Sequence, residues 1–480
     1  MFISYFFVLF LAALWLLFIL VPAKYRKAVL CVFSLGFCGY ISVTALVALL
    51  LSTAVTFFGA KAIEKNREDK IRAKNITIIT VTIFAFVLIV VKNIPYIIKM
   101  FGFDTLSEYS ILTSIVLPVG FSFYAFQAIG YIYDVYQGKE NAEDSFVDFA
   151  LYMVFFAKLV SGPIERKGRF TTQLKGLENI NVIDSDRISL ALTYMVWGCF
   201  LKLVVADRLA LVVNQIHASP ENFDIIWLAG GAVFYSFQIY TDFAGYTCIA
   251  IGCAMLFGIE LTQNFKSPYC SKNITEFWRR WHISLSSWLR DYIYIPLGGN
   301  RKGDIRKYFN TLVVFLLCGI WHGNGLSFMV WGILHGLFSI FDSAIGKKLN
   351  TEGVVRSFIA RTATFIAVTF AWIFFRADSL RLAINYIKLM LSNGTNPKGP
   401  VPFITGNGVV MLQVYLSIAL IVLVQTIDNI CYKRKTELPQ MIQENRILKY
   451  GFIYVCLMAM FVIGVYGGAF KTETFIYMQF

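Results

Sequence analysis

Charge is scarce in this sequence. Asp, Glu, Lys and Arg make up 15% of its 480 residues while 58% are hydrophobic, a balance that excludes an ordinary water-exposed surface. Histidine is rarer still, with four in the whole chain. The nine cysteines include no CxxC pair and fall mostly inside apolar runs, as small core residues do. No HExxH, ExxH or HxH spacing occurs, so no metal site is expected. No Pro- or Ser-rich linker and no low-complexity tract interrupts the chain, and no repeat relates its halves, which argues weakly against a secondary transporter.

What is present is a series of apolar runs. At ~20 residues such a run crosses ~30 Å of hydrocarbon, and in lipid it must be helical to satisfy its own backbone. The expected fold is an all-α, polytopic integral membrane protein with about 11 to 13 hydrophobic segments. The first run, Met1 to Val21, lacks the basic flank and small-residue cleavage site of a secretory signal and reads as a retained span.

The formal net charge of +14 sits between these runs, at Lys24 to Lys27, Lys61 to Lys74, Arg301 to Lys307 and Lys433 to Lys435. This is positive-inside patterning rather than a nucleic-acid footprint. It predicts a multi-pass protein of the cell membrane, surrounded by lipid, with an outward N-terminus and a cytosolic Lys266 to Asn310 segment. One domain, residues 1–480, is expected: peripheral spans over 1–105, a core over 118–340 that holds all four histidines, and packing spans over 346–480. The last part includes an amphipathic stretch at Leu380 to Leu391.

Two segments of the core carry chemistry. Asn273 to Tyr294 reads NITEFWRRWHISLSSWLRDYIY, and Asn273 with Glu276 forms a capping-box start. On one continuous helix, Trp278, Trp281, Leu285, Trp288 and Tyr292 make a single aromatic stripe suited to the membrane interface. His282 then lies roughly 80° from its centre, on the side of Arg279 and Arg290, with Arg280 pointing away. That face reads either as an entrance where arginines hold a phosphate-bearing donor or as an interfacial anchor.

The second segment, Leu312 to Phe338, places His322 in Trp321-His322-Gly323 among apolar residues, with Gly319, Gly323, Asn324 and Gly325 able to break the helix. A buried, neutral imidazole there is competent as a general base for a hydroxyl, and also as an interhelical hydrogen bonder. No Ser-His-Asp or Cys-His arrangement accompanies it, which favours direct transfer from an activated thioester over a covalent acyl-enzyme. His335, thirteen residues on, would be ~20 Å away on an uninterrupted helix. His217 reads as a surface residue. The other ionisable groups near spans, Asp134, Glu165, Lys202, Asp207, Asp242 and Arg376, read most simply as mutual helix pairings.

The motifs PVGFSFYAFQAIGYIYDVY (118–136), SGPIER (161–166), WGCFLKLVVADRLA (197–210), QIYTDFAGYTCIAIG (238–252), NFKSPY (264–269), FWRRWHISLSSWLRDYIYIPLGGNR (277–301), GIWHG (319–323), WGILHG (331–336) and WIFFRADSL (372–380) run through nearly the whole chain. Together they resemble the membrane-bound O-acyltransferase family, and within it the bacterial alginate O-acetyltransferase-like branch. The resemblance implies a ring of tilted helices around a central tunnel, His322 as catalytic base and His282 lining the same passage. Arg279, Arg280, Arg290, Trp281, Trp321 and Asn324 complete the candidate substrate-binding set.

The resemblance also implies acetyl-CoA, or another acyl thioester, as a donor substrate with no bound cofactor. Its expected partners are an extracytoplasmic serine-hydrolase-type acetyltransferase and the polysaccharide synthesis machinery. The expected reaction is O-acetylation of an extracellular or cell-envelope polysaccharide. The alternatives are D-alanyl transfer to teichoic acid from a carrier-protein thioester and, in another class, a transporter or channel without chemistry. Two positions depart from the branch: Cys248 stands where Asp is common, and Lys158 lies in FFAKL where FFPQL is usual.

Overall fold

The computed structural model describes residues 2–88, 120–159, 162–323, 325–345, 353–394 and 409–465. Among them there is no strand, and the all-α class holds. Pro118, Val119, Ser161 and Asn324 lie outside the described residues. The chain divides into two compact units, residues 1–195 with 249–263, and residues 196–248 with 264–480.

The first unit contains α1 (Tyr5–Leu20), α2 (Arg26–Ile41), α3 (Val43–Lys65), α4 (Lys70–Phe86), α5 (Phe121–Tyr136), α6 (Phe146–Val154) and α7 (Lys167–Gly176), together with most of α8 (Ser185–Phe200). Its helices start where short polar side chains accept orphan backbone N–H groups. Ser4 accepts from Phe7 at 3.2 Å, Ser42 from Ala45 at 3.2 Å, Asp69 from Arg72 at 3.0 Å and Ser145 from Asp148 at 3.1 Å. Phe7, Phe10, Phe37 and Phe156 stack into its core. Lys158 is fully buried there, donating to the Gln127 side-chain oxygen and the Tyr152 carbonyl, with its ammonium 4.4 Å from the Tyr152 ring and 5.1 Å from the Phe170 ring. The unusual charge is thus held by local acceptors and π-faces.

The second unit contains α9 (Asp207–Ala218), most of α10 (Ile225–Leu256), α11 (Ile274–Arg280), α12 (Ile283–Leu289), α13 (Asp304–His322), α14 (Leu326–Ala344), α15 (Val354–Arg376), α16 (Leu380–Ser392), α17 (Val409–Arg434) and α18 (Arg446–Ile463). A π-helical turn, Leu201–Ala206, joins α8 to α9. Seven described helices are long and apolar enough to cross a membrane: α3, the continuous α8–α9 stretch, α10, α14, α15, α17 and α18. The chain is a multi-pass membrane protein. Exposed apolar side chains such as Ile447, Tyr454 and Phe461 on α18 are the surface that lipid covers.

Lys202, inside the π-helical turn, holds two buried carboxylates, Asp207 and Asp242, each at 2.7 Å. Removing the cation takes the shared counter-charge from two carboxylates in a low-dielectric interior, a loss on the order of 3–5 kcal/mol. Lys202→Met is therefore expected to abolish accumulation of the protein in membranes. Adding Asp207→Leu and Asp242→Leu to the same variant restores it, as quantified by detergent-extracted yield. The remaining ionisable groups also pair, Asp134 with Lys139 at 3.7 Å, Glu165 with Arg169 at 3.9 Å and Arg376 with Asn214 at 3.0 Å.

Candidate active site

The His322 segment forms a helical hairpin. α13 ends at His322, the chain reverses through Gly323 and Gly325, and α14 starts at Leu326. Glycines let the two backbones approach: a Cβ on Gly319 would lie 2.3 Å from the Phe328 carbonyl oxygen, and one on Gly332 would lie 2.3 Å from that of Phe315. The predicted break around His322 is present, and the reversal overturns the ~20 Å separation expected for His335. His322 and His335 both sit edge-on to the Trp331 ring, at centroid distances of 5.1 Å and 5.0 Å.

His322 is buried, walled by Trp321 at 4.6 Å, Trp331 at 5.1 Å and Phe375 at 5.2 Å. Trp321 also faces the His282 ring, at 6.4 Å, so one indole borders both candidate histidines. Phe243 of α10 covers His282 from another side at 4.7 Å. The helix Val354–Arg376, expected mainly to pack, supplies Phe375 to His322 and Trp372 to the cluster around Trp331.

Asn273 to Tyr294 is not one helix. α11 stops at Arg280, His282 adopts φ 44° and ψ 54°, and α12 starts at Ile283. A non-glycine residue in the left-handed region is held at a cost of about 1–2 kcal/mol, so the surroundings must enforce it. The enforcing residue is Asn264, fully buried: its backbone oxygen accepts from Ile283 N at 3.0 Å, and its side-chain oxygen accepts from Ser284 N at 3.2 Å and Ser284 Oγ at 2.7 Å. Lys266 N donates to the Arg280 carbonyl at 3.0 Å on the other side of the kink. The predicted cap at Asn273 is present, with its side chain accepting from Glu276 N at 2.7 Å, although Glu276 turns back to Lys272 N, at 2.9 Å, rather than to Asn273 N.

The kink also overturns the interfacial stripe. Trp281, Leu285 and Trp288 are buried. Trp281 packs against Phe265 at 5.0 Å, Trp372 at 5.1 Å and Phe277 at 5.5 Å, as part of the core. His282 is accordingly enclosed rather than set on an exposed cationic face. His217 is half-buried: its ring stacks on Tyr386 at 4.8 Å and its Nδ1 lies 2.9 Å from the Val213 carbonyl.

The arginines separate by environment. Arg280 is engaged by Glu276 at 2.9 Å, by the Lys266 carbonyl at 3.0 Å and by the Tyr432 ring at 4.4 Å. Arg290 pairs with its neighbour Asp291 at 2.8 Å. Arg279 lines two cavities. The outer one, about 750 Å³, is lined by four cations, Lys266, Arg279, Arg280 and Lys307, against two carboxylates, Glu276 and Asp342. The inner one, about 530 Å³, shares Arg279, Asn300 and Lys307 and continues past Arg290 and Ser286 to Trp278, Phe315 and Cys318.

Lys307, Thr311, Val314, Phe315 and Cys318 recur at helical spacing, so the inner cavity follows one face of α13 for about 16 Å. It reaches Cys318, one turn before His322, and Ile283, the residue after His282. Its mouth is cationic and its depth apolar. Asn264, Lys307, Asn300, Phe243 and Phe375 were not singled out from the sequence. The NFKSPY, GGNR and WIFFRADSL motifs mark their neighbourhoods but give no geometry.

MBOAT, the membrane-bound O-acyltransferase family, matches residues 142–383, half of the chain and all of the cavity-lining segments. The chain belongs to this family. Among its relatives, a probable alginate O-acetylase of Pseudomonas fluorescens is 41% identical over 310 residues, covering 64% of this chain and 60% of that protein. A peptidoglycan O-acetyltransferase of Helicobacter pylori is 35% identical, covering 59% of this chain and 58% of that protein. A teichoic acid D-alanyltransferase of Bacillus subtilis is 27% identical, covering 46% and 57%. The chain spans about three fifths of the length of the curated relatives it matches.

As the kink is built on Asn264, Asn264→Leu tests its role in this MBOAT chain. It removes the side-chain acceptor of Ser284 N and Oγ in the interior, each lost bond costing about 0.5–1.5 kcal/mol. Activity on any acyl donor is expected to fall by more than tenfold, with a matching fall in hydrogen-exchange protection over residues 280–289. Unchanged protection with full activity would show that the kink does not depend on Asn264.

Proposed function

We propose that the protein is an O-acyltransferase that moves an acetyl group from cytosolic acetyl-CoA toward hydroxyl groups of a cell-envelope polysaccharide. The observation that carries this reading is the inner cavity, cationic at its Arg279, Arg290 and Lys307 mouth and apolar where it nears His322. A pantetheine thioester has the same polarity order, with phosphates at one end and a linear arm ending in the acyl group. The outer cavity offers space and charge for the nucleotide end, and Arg and Lys suit its phosphates. Arg280, already engaged, is the weakest of the proposed arginine contacts. Trp281 and Trp321 act by holding the histidines in place.

In the proposed reaction His322 takes the proton of the acceptor hydroxyl as its oxygen attacks the thioester carbonyl. The C–O bond forms, the C–S bond breaks, and the imidazolium returns the proton to the departing thiolate. Free thiol and ester appear in equal amounts. His282 positions the acyl end beside Trp321. Delivery to the polymer is completed by an extracytoplasmic serine-hydrolase-type partner working with the polysaccharide synthesis machinery.

Protein purified in lipid nanodiscs with acetyl-CoA labelled in the acyl group tests the reading. Thiol release that depends on the protein and on an acceptor supports it. Turnover only with a carrier-protein thioester replaces it by the D-alanyl-type reaction, and solute movement with no thioester consumed replaces it by transport.

A further inference from the structure

We infer that Trp278 sets the length of acyl chain the protein accepts, and that His335 acts as the positioning residue that holds it there; this rests on the donor reading above. Trp278, Phe315 and Cys318 form an apolar part of the inner cavity's lining, Phe315 and Cys318 being its residues nearest His322 in the chain. Trp278 lies at 5.1 Å from Phe315, 6.0 Å from Trp331 and 5.0 Å from His335. Trp331 in turn meets His322 at 5.1 Å. The last helical turn of space before His322 is therefore packed by indoles, leaving room for a small acyl group and none for a long one.

A tryptophan rotamer facing a cavity needs something to fix it. Trp278 Nε1 donates to His335 Nδ1 at 3.2 Å. Indole nitrogen is a donor only, so His335 Nδ1 must be the acceptor and its proton must sit on Nε2. His335 is fully buried and its ring is clamped by Phe277, Phe315 and Trp331. It therefore presents Nδ1 in one direction. Swinging the indole out of the cavity forfeits this bond and orphans the buried His335 Nδ1, which keeps the wall closed.

The test compares acetyl-CoA with butyryl-CoA and hexanoyl-CoA on the full-length protein in nanodiscs, reading thiol release and expressing each rate relative to acetyl-CoA in the same preparation. That ratio is insensitive to the amount of active protein. Trp278→Ala is expected to raise the butyryl-to-acetyl ratio by about tenfold or more, the scale of one or two methylenes in a shaped pocket. His335→Leu should move the ratio the same way. His335→Gln, whose side-chain oxygen can accept from the indole, should keep it close to wild type, as should Trp278→Phe, which retains an aromatic wall. In the Trp278→Phe background, His335→Leu should add nothing to the ratio.

An unchanged ratio in Trp278→Ala overturns the assignment of Trp278, and a His335→Gln ratio equal to that of His335→Leu overturns the hydrogen-bonding role of His335. If the wild type releases no thiol from any of the three donors, the donor reading fails and the inference with it. Thiol release from all three at equal rates overturns the inference alone.

Discussion

His322→Ala is expected to lower acyl transfer by about 10²–10⁴-fold, the usual worth of a positioned general base, while the protein inserts and accumulates normally. Accumulation survives because His322 closes α13 as its last residue, where Trp321, Trp331 and Phe375 pack around it. Truncation removes packing, a loss the hairpin can bear, whereas the proton acceptor goes with the imidazole, and His335 is turned to Trp278. His322→Gln separates the two effects, since it keeps polarity and most of the volume but cannot accept and return a proton at neutral pH. A rate within about twofold of wild type for His322→Ala would remove the base from the mechanism.

The second large effect is expected at Gly319, three residues before His322 and without any chemistry of its own. A Cβ there meets the Phe328 carbonyl oxygen at 2.3 Å, and that oxygen belongs to a helix backbone that cannot rotate aside. Gly319→Ala therefore forces α13 and α14 apart by about 1 Å, at a cost of about 1–3 kcal/mol. Displacement of that size at a reacting centre costs about a hundredfold in rate. The expected signature is a fall in kcat with a much smaller change in KM for the donor, because the cationic mouth lies near the other end of α13. Gly36→Ala is the control, with nothing within 4 Å of its added methyl. Equal rates in the two variants would show that the hairpin tolerates separation and that His322 needs no close register with Trp331.

Much of this architecture is legible in the sequence, and what is not has a common physical cause. Composition alone dictates helices in lipid, and the glycines flanking His322 announce a break, because both depend on local propensity. The kink at His282 depends on Asn264, eighteen residues upstream, whose side chain supplies acceptors that α11 and α12 cannot supply for themselves. Read locally, residues 273–294 keep helical periodicity, so the tryptophans form a stripe. Read with Asn264 in place, the periodicity is cut at Trp281 and the same tryptophans become core.

His335 was misplaced for a related reason. Thirteen residues of helix separate two groups widely, but a reversal after His322 folds them onto one indole, and the reversal is tight only because Gly319 and Gly332 meet backbone to backbone. Lys307 escaped notice because it reads as one more positive-inside residue. Only the face shared by Lys307, Thr311, Phe315 and Cys318 gives it a cavity to serve.

The most direct measurement is a structure of the protein bound to a non-hydrolysable thioether analogue of acetyl-CoA. The account predicts its phosphates at Arg279 and Lys307, its arm along α13 past Thr311 and Cys318, and its thioether within a few ångströms of the His322 imidazole, about the reach needed for proton transfer through an acceptor hydroxyl. Density for the analogue on another face, or an arm that ends away from α13 with His322 untouched, would contradict it.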